Sequence, residues 1–405
     1  MTPLKDKNKF MDVDTILFDM DGVITSEGEY WNTADLTILE LFYSNQFVGL
    51  VNENLQTILF KPGSPIKLDR FVSNNFIALL KNNGLNTNWD LTYFASALYL
   101  IELFSRAQPR DKAKAIAEFE FNTGTLRELG KLIPDKKRIL EPIDSLSAYF
   151  LQFIKKRGRN ISSQSVSSPE KRALDFIEDI NLWRYERTGF KGPVFDRSGA
   201  FWDICERLFQ ERYLGDILFL RDHDSTLSEI PKDGMIEYEE PVIPLQKIVS
   251  TLAMLKEARI NFGIATGRPY DEIMIPLIRW GLYHFFDEDN ISTHRDILEA
   301  EEFLKSKGQN ISLAKPHPYV YLRALYGKSK SIPELLEMSL PLPEAKCERV
   351  IIVGDSVSDI MAARCIGVKA VVVLTGVKSL EAVEMMKAFS PEFLLNDISE
   401  FEDLL

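Results

Sequence analysis

Two aspartates, Asp19 and Asp21, stand two residues apart in the stretch ILFDMDGVIT (16–25). The three apolar residues before them indicate a buried strand, so both carboxylates would lie where that strand ends. Burying a charged carboxylate without a partner costs several kcal/mol. The pair therefore predicts that a cation or a polar ligand lies at the end of this strand.

Other residues that could do chemistry follow further apolar runs. Thr266 stands in IATGRP, Lys315 in LAKPHP, and Asp355 and Asp359 in VIIVGDSVSD. If the runs are parallel neighbours in one sheet, these residues meet at one edge of it. Four carboxylates so close would raise one another's pKa, and a divalent cation would remove that conflict. Oxygen ligands without Cys or His suit Mg²⁺, and a lysine with a threonine hydroxyl completes a phosphoryl site.

The elements that must position these residues alternate along the two ends of the chain. Helical patterns separate short β-rich runs, which are TILF (15–18), NFGIA (261–265), VIIVG (350–354), AVVVL (370–374) and EFLL (392–395). Apolar residues from Leu245 to Leu255 keep the three-to-four spacing of one helix face. The alternation predicts an α/β fold, a Rossmann-like three-layer core with a parallel sheet covered on both faces.

The middle of the chain predicts helices instead of strands. Apolar residues recur at helical spacing within 71–80 and 173–183, and we expect about seven helices in this part of the chain. The sequence thus predicts two domains. Residues 1–30 and 241–405 would form the α/β core, and 31–240 would form a large all-helical domain inserted after the first strand.

FDMDGVITSE, ATGRP, AKPHP and GDSVSD resemble, in this order, the four motifs of the haloacid dehalogenase (HAD)-like hydrolase superfamily. The resemblance is to its phosphoglycolate-phosphatase-like branch, which has a helical cap after the first motif. It covers roughly 13–30 and 240–405 and leaves out most of the insert. It implies a Mg²⁺-dependent phosphatase with an aspartyl-phosphate intermediate. The insert of about 210 residues is more than twice the common size of such a cap.

The resemblance also implies a role for each motif residue. Asp19 would be the nucleophile, and Asp21 would protonate the leaving oxygen and then deprotonate the attacking water. Thr266 and Lys315 would hold the phosphoryl oxygens. The implied metal ligands are Asp19, Asp21 (through its carbonyl), Asp355 and Asp359, the last acting through a water or by orienting Lys315. The implied substrate-binding residues are Gly22, Thr266, Gly267, Arg268 and Lys315.

Simpler interpretations stay open for some of these residues. Thr266 could cap a helix, and so could the aspartates of GDSVSD. Capped relatives usually carry Asn directly after the Thr or Ser of the second motif, whereas this sequence has Gly267 and then Arg268, which could be solvated or ion-paired instead of contacting substrate. A second pair, Asp222 and Asp224 in ILFLRDHDST (217–226), could pass for the first motif. An arginine interrupts its apolar run and no glycine follows it, so we expect a solvated linker there.

Composition disfavours several classes of function. The formal net charge of −12 disfavours nucleic acids and anionic membranes as partners, because both select basic surfaces. Three cysteines, Cys205, Cys347 and Cys365, fit neither a zinc site nor a disulfide framework. MTPLKDKNKF (1–10) lacks the apolar segment of a signal peptide. We therefore expect a cytoplasmic protein with free thiols.

The function that these features predict is a phosphatase acting on a small phosphorylated metabolite. Two alternatives use the same fold: a phosphomutase with the same intermediate, and a non-catalytic protein that binds a phosphate ligand. No motif for the acid/base group of a mutase cap is identified in the insert. The particular substrate and the oligomeric state are not predicted by the sequence.

Overall fold

The structure is a computed structural model of the 405-residue chain. It describes residues 10, 12–59, 71–82, 85, 88–106, 122–137, 140–158, 169–189, 195–196, 199–376 and 380–404. The chain divides into two compact units, Met1–Glu27 with Glu239–Leu405, and Gly28–Tyr238. We call them the core unit and the helical unit. The boundaries lie within three residues of the predicted ones, and the assignment of the units as core domain and cap domain stays a prediction.

The core unit contains a six-stranded sheet in the order β3-β2-β1-β4-β5-β6. Every neighbouring pair of strands is parallel. The strands are β1 Thr15–Phe18, β2 Asn261–Ala265, β3 Ile291–Ser292, β4 Val350–Gly354, β5 Lys369–Val373 and β6 Phe393–Leu395. The predicted α/β class with a parallel sheet is confirmed. The strand β3 is the element that the sequence pattern missed, because two residues are too few to show a period.

Both faces of the sheet are covered, and the alternation of side chains shows it. Ile16 and Phe18 of β1 belong to one buried apolar cluster, whereas Leu17 belongs to the cluster on the opposite face. Successive strand residues point to opposite faces, so an almost continuously apolar strand is what a sheet between two helical layers requires. The helices of the core unit are Leu245–Glu257, Tyr270–Arg279, His294–Ser306, Tyr319–Tyr326, Ile332–Leu336, Glu344–Cys347, Val357–Ile366 and Leu380–Ala388.

The helical unit is inserted into the chain between β1 and the helix Leu245–Glu257. Its described α-helices are Gly28–Tyr43, Glu53–Leu59, Asn74–Asn82, Asn88–Ser105, Thr123–Lys131, Ile143–Lys156, Pro169–Thr188 and Ala200–Phe219. Aromatic pairs join several of them: the rings of Tyr30 and Tyr213 stack at 4.6 Å, and those of Phe150 and Trp183 meet at 5.5 Å. Among the described residues, none of the helices combines the length and the apolar character needed to cross a membrane.

Candidate active site

Asp19 is the first residue after β1, and its backbone is held by the neighbouring strand. Its N–H donates to the carbonyl of Val353 in β4 at 2.9 Å, so the hydrogen bonding of the parallel sheet continues to the site. Carboxylate oxygen Oδ1 accepts from the N–H of Met20 at 2.8 Å. Oxygen Oδ2 lies 2.9 Å from Nζ of Lys315. The end of β1 therefore presents one oriented carboxylate beside one ammonium group.

Lys315 is held from three sides. Its Nζ lies 2.9 Å from Asp19 Oδ2, 3.0 Å from Asp359 Oδ1, and 4.7 Å from the centroid of the Tyr321 ring. The side chain is 13% exposed, and its Nζ atom is buried. Burial alone would lower the pKa of Lys315, but the two carboxylates raise it above its ordinary value. The ammonium group is therefore charged beside the carboxylates of Asp19 and Asp359.

Asp359 is buried and uses both of its oxygens within the protein. Oδ1 accepts from the hydroxyl of Tyr321 at 2.7 Å and pairs with Lys315. Oδ2 accepts from the hydroxyl of Ser356 at 2.6 Å and from its N–H at 3.1 Å. These bonds form a capping box that starts the helix Val357–Ile366. Asp359 thus caps a helix and orients Lys315, two of the roles that the sequence left open for it.

The raised pKa of the Asp19 carboxyl indicates that a bound cation would stabilise its ionised form. Burial raises the pKa of the Asp19 carboxyl to about 7, Lys315 opposes the increase, and the carboxylates of Asp359 and Asp21 add to it. A buried carboxyl surrounded by like charge resists ionisation. A divalent cation bound alongside would favour the carboxylate form, which is the nucleophilic one.

Asp355 has a position that only glycine neighbours allow. A Cβ atom added at Gly22 would lie 2.2 Å from Asp355 Oδ2, and one added at Gly376 would lie 1.8 Å from the same oxygen. Gly22 also has φ +72°, a conformation in which a side chain is strained. Two backbone segments, one after β1 and one after β5, therefore form a cradle around this carboxylate.

Three carboxylates meet in this cradle, and their geometry fits a metal ion. Asp19, Asp355 and Asp359 each offer one oxygen, and the three oxygens lie within 4.8 Å of one another. Carboxylate oxygens in a small, partly buried cluster are the ligands preferred by Mg²⁺ and other hard divalent cations. Within this set, Asp355 lies against two glycines, and a larger residue at either glycine would displace its carboxylate. The residues present fit the Mg²⁺ that the sequence predicted.

Asp21 is held by an arginine. Nε of Arg268 donates to Asp21 Oδ1 at 3.0 Å and to Oδ2 at 3.1 Å, and Nη2 donates to Oδ1 at 2.5 Å. The hydroxyl of Thr25 donates to Oδ1 at 3.1 Å. The Asp21 side chain is 27% exposed, whereas that of Arg268 is 3% exposed. A buried guanidinium thus orients a carboxylate that solvent can reach.

The other partners of Arg268 are also groups of the protein. Nη1 and Nη2 pair with the carboxylate of Glu239 at 3.2 Å and 2.8 Å, and Nη1 donates to the carbonyl of Glu272 at 3.2 Å. Every guanidinium nitrogen therefore has a protein acceptor. The family resemblance implies that Arg268 binds substrate, and an ion-paired or solvated arginine is the alternative. The geometry favours the alternative, because these contacts occupy the donors that a phosphate would need.

The second motif supplies a hydroxyl and an open backbone. Thr266 is buried at the end of β2, and its Oγ1 accepts from the N–H of Arg268 at 3.2 Å, which leaves its hydroxyl proton to donate elsewhere. Thr266 is not a helix cap, because the helix Tyr270–Arg279 begins after Pro269. Gly267 is exposed and has no atom within 4 Å of an added Cβ. A ligand can therefore approach the backbone closely here.

Several residues of this site carry no sequence signal that local pattern reading could use. Glu239 contacts Arg268, Tyr321 contacts Asp359, and Gly376 lies against Asp355. In each pair, a long stretch of sequence separates the two residues. The decoy pair Asp222 and Asp224 belongs to the helical unit, where both are exposed. The roles of the motif residues in catalysis and metal binding stay predictions, and the structure gives the geometry on which they rest.

Comparison with known families finds a match for the C-terminal part of the core unit. Residues 312–401, which include Lys315, Asp355 and Asp359, match the family model described as HAD-hydrolase-like. This part of the chain is similar to haloacid dehalogenase-like hydrolases. The resemblance to this superfamily is therefore confirmed on the segment that carries the third and fourth motifs.

The chain is also similar, to different degrees, to solved structures. An X-ray structure from the Northeast Structural Genomics Consortium has 25% identity and a TM-score of 0.73, with 97% of this chain and 98% of that chain covered. A hydrolase from Pseudomonas syringae has 12% identity and a TM-score of 0.34 (96% and 97% covered). A predicted phosphoglycolate phosphatase from Haemophilus somnus has 15% identity and a TM-score of 0.31 (56% and 75% covered). No curated protein matches the chain.

Proposed function

We propose that this protein is a Mg²⁺-dependent phosphohydrolase that removes the phosphoryl group of a small metabolite through an aspartyl-phosphate on Asp19. The observation that carries the proposal is the environment of the Asp19 carboxylate. It lies at the end of β1, 2.9 Å from the ammonium group of Lys315, within a cluster of three carboxylates that fits a divalent cation. A carboxylate nucleophile, a fixed ammonium and a cation site are the parts that phosphoryl transfer requires.

The first step transfers the phosphoryl group to the enzyme. An oxygen of Asp19 attacks phosphorus, the bond from phosphorus to the leaving oxygen breaks, and Asp21 gives that oxygen a proton. Lys315 and the hydroxyl of Thr266 hold the phosphoryl oxygens and stabilise the charge that develops on them. Mg²⁺ bound by Asp19, Asp355 and the carbonyl of Asp21, with Asp359 nearby, would neutralise further phosphoryl charge.

The second step returns the enzyme to its starting state. Asp21, now a carboxylate, takes a proton from a water molecule whose oxygen attacks the phosphorus of the aspartyl-phosphate. The bond from phosphorus to Asp19 breaks, and inorganic phosphate leaves. One phosphate monoester and one water thus give one alcohol and one phosphate. The helical unit would act as the cap that selects the metabolite and excludes bulk water.

Phosphate release with Mg²⁺ from a panel of sugar phosphates, nucleotides, phosphoglycolate and pyrophosphate tests this proposal. We expect release from one class of compound and a loss of at least about a thousandfold in Asp19→Asn. The variant should fold at least as stably as the wild type, because it removes a buried carboxyl whose ionisation is disfavoured. Absence of release from every compound, or normal turnover by a folded Asp19→Asn, would contradict the proposal.

A further inference from the structure

Glu239 is a buried carboxylate that the proposed reaction does not use directly. Its side chain has no exposed area, and it lies at the point where the chain re-enters the core unit. A buried charge is retained only where it is paired. Its partner is Arg268, through Nη2 to Oε1 at 2.8 Å and Nη1 to Oε2 at 3.2 Å. Glu239 therefore grips the end of the guanidinium in a bidentate pair.

The same guanidinium grips Asp21 with a different edge. Nε and Nη2 of Arg268 face the Asp21 carboxylate at 2.5 to 3.1 Å. A planar guanidinium bound along two edges by two carboxylates cannot rotate without breaking one of the pairs. The orientation of Asp21 thus depends on a carboxylate that does not itself contact Asp21.

Backbone contacts fix Glu239 against the loop that carries Asp21. The carbonyl of Glu240 accepts from the N–H of Ser26 at 3.0 Å, and the N–H of Val242 donates to the carbonyl of Ile24 at 2.9 Å. Nη2 of Arg279 donates to the carbonyl of Glu239 at 2.7 Å. The chain segment that leaves the core unit and the one that re-enters it are therefore hydrogen-bonded beside this loop, and Glu239 belongs to the second of them.

We propose that Glu239 is a positioning residue, which acts through Arg268 to hold Asp21 in the orientation needed for proton transfer to the leaving oxygen. This inference rests on the proposed function, because it concerns the proton donor of that reaction. Without the Glu239 carboxylate, the buried guanidinium loses one of its two ion pairs and keeps the Glu272 carbonyl as the acceptor of Nη1, so Asp21 is held less firmly. Small errors in the placement of a general acid cost large factors in rate.

Leaving-group dependence is the measurement that separates this role from a purely structural one. A general acid matters for a poor leaving group such as an alkoxide and matters little for nitrophenolate, which leaves without a proton. The parameter kcat/KM reports the steps up to release of the leaving group. A positioning defect at Asp21 therefore lowers kcat/KM for alkyl phosphates and spares p-nitrophenyl phosphate, whereas a disrupted fold lowers both equally.

We would measure kcat/KM of Glu239→Gln on p-nitrophenyl phosphate, phenyl phosphate and the best alkyl phosphate of the panel. We expect a loss of about 10- to 100-fold for the alkyl phosphate, out of the full contribution of a general acid, and less than about threefold for p-nitrophenyl phosphate. Asp21→Asn should show the same pattern more strongly. Arg279→Met disturbs the same backbone segment but keeps the carboxylate, and it should retain the wild-type pattern.

Arg268→Lys keeps the positive charge but lacks the two-edged fork, so it gives a second route if Glu239→Gln lowers the folded fraction. It should show the same selective loss on the alkyl phosphate. Equal losses on all three esters in a folded variant, or no loss on any, would overturn the positioning role. A wild-type protein that hydrolyses none of the esters would instead contradict the proposed function, so the two failures are distinguishable.

Discussion

The two units of this protein each bury a group of charged side chains, and the groups differ in how they are closed. In the helical unit, Lys232 lies 3.2 Å from Glu211 and 3.4 Å from Glu40, and Arg212 lies 2.5 Å from Glu40. Arg207 also lies 3.6 Å from Glu211, so each acid faces two bases. In the core unit, Lys315 pairs with Asp19 and Asp359, and Asp355 adds a third carboxylate oxygen within 4.8 Å of theirs.

The pKa values of the buried acids reflect this difference. Burial alone would raise the pKa of Glu40, but Arg212 and Lys232 lower it below its ordinary value, and Glu211 also accepts from the backbone N–H of Ser228 at 3.3 Å. By contrast, the pKa of Asp19 is raised to about 7. A closed cluster, in which every acid is paired with bases, stabilises a fold, whereas an open cluster of three carboxylates beside one lysine invites a ligand of opposite charge. The charge balance thus distinguishes a structural network from a candidate site.

Removal of divalent cations should give the largest effect, and only on the open cluster. Treatment with EDTA should lower phosphatase activity at least about a thousandfold, because several kcal/mol of phosphoryl charge stabilisation are lost, and added Mg²⁺ should restore it. Asp222→Asn/Asp224→Asn, in the exposed acidic pair of the helical unit, should keep the wild-type response to Mg²⁺. Full activity in the chelator would remove the metal from the mechanism.

Breaking the closed cluster should lower stability instead. Lys232→Met removes the buried cation of Glu211 and leaves Glu40 with Arg212 alone, and we expect the free energy of unfolding in urea to fall by about 3 kcal/mol. The matched control is Arg295→Met, which removes an exposed pair with Glu299 and should change stability by less than about 0.5 kcal/mol. Similar small losses in both variants would show that the buried network is not structural.

A subtler change should sharpen the comparison by moving one carboxylate of the open cluster. Gly376→Ala places a methyl group 1.8 Å from Asp355 Oδ2, so the carboxylate must move. Gly22 lies against the same oxygen and limits that movement. We expect weaker Mg²⁺ binding by about tenfold, as for other changes that misorient a ligand, measured by calorimetric titration. In the helical unit, Gly124→Ala meets only Asn122 Oδ1, at 3.1 Å, and unaltered affinity is expected there. Wild-type affinity in Gly376→Ala would mean that Asp355 does not hold the ion.

The strands of the core unit could be predicted because burial on both faces requires a run of apolar residues, which is visible in the sequence. Five of the six strands are runs of apolar residues followed by glycine or a polar turn, and all five lie where the pattern placed them. The strand β3 shows no such run of apolar residues, since only Ile291 and Ser292 form it. The sequence also indicated that the aspartates of GDSVSD could begin a helix, and the helix Val357–Ile366 begins there, with Ser356 as its N-cap and Asp359 completing the capping box.

The candidate site divides in the same way. Asp19, Thr266 and Asp355 could be expected at one edge of the sheet, because polar residues after parallel strands meet there. The partners that hold them could not. Arg268 carries the same signal whether it contacts substrate or protein, and its pairing with Glu239 joins residues on separate segments. Likewise, nothing near Gly376 in the sequence indicates that its missing side chain makes room for Asp355.

The sequence by itself determined which residues stand at the ends of the strands, because strand burial and turn chemistry act over a few neighbouring residues. It also determined that a large helical segment follows the first strand. Only the tertiary structure decided how charges are shared among these residues: Lys315 between Asp19 and Asp359, and Arg268 between Asp21 and Glu239. The reason is physical, since the pairing of buried charges depends on distances of a few ångströms between segments far apart in the chain.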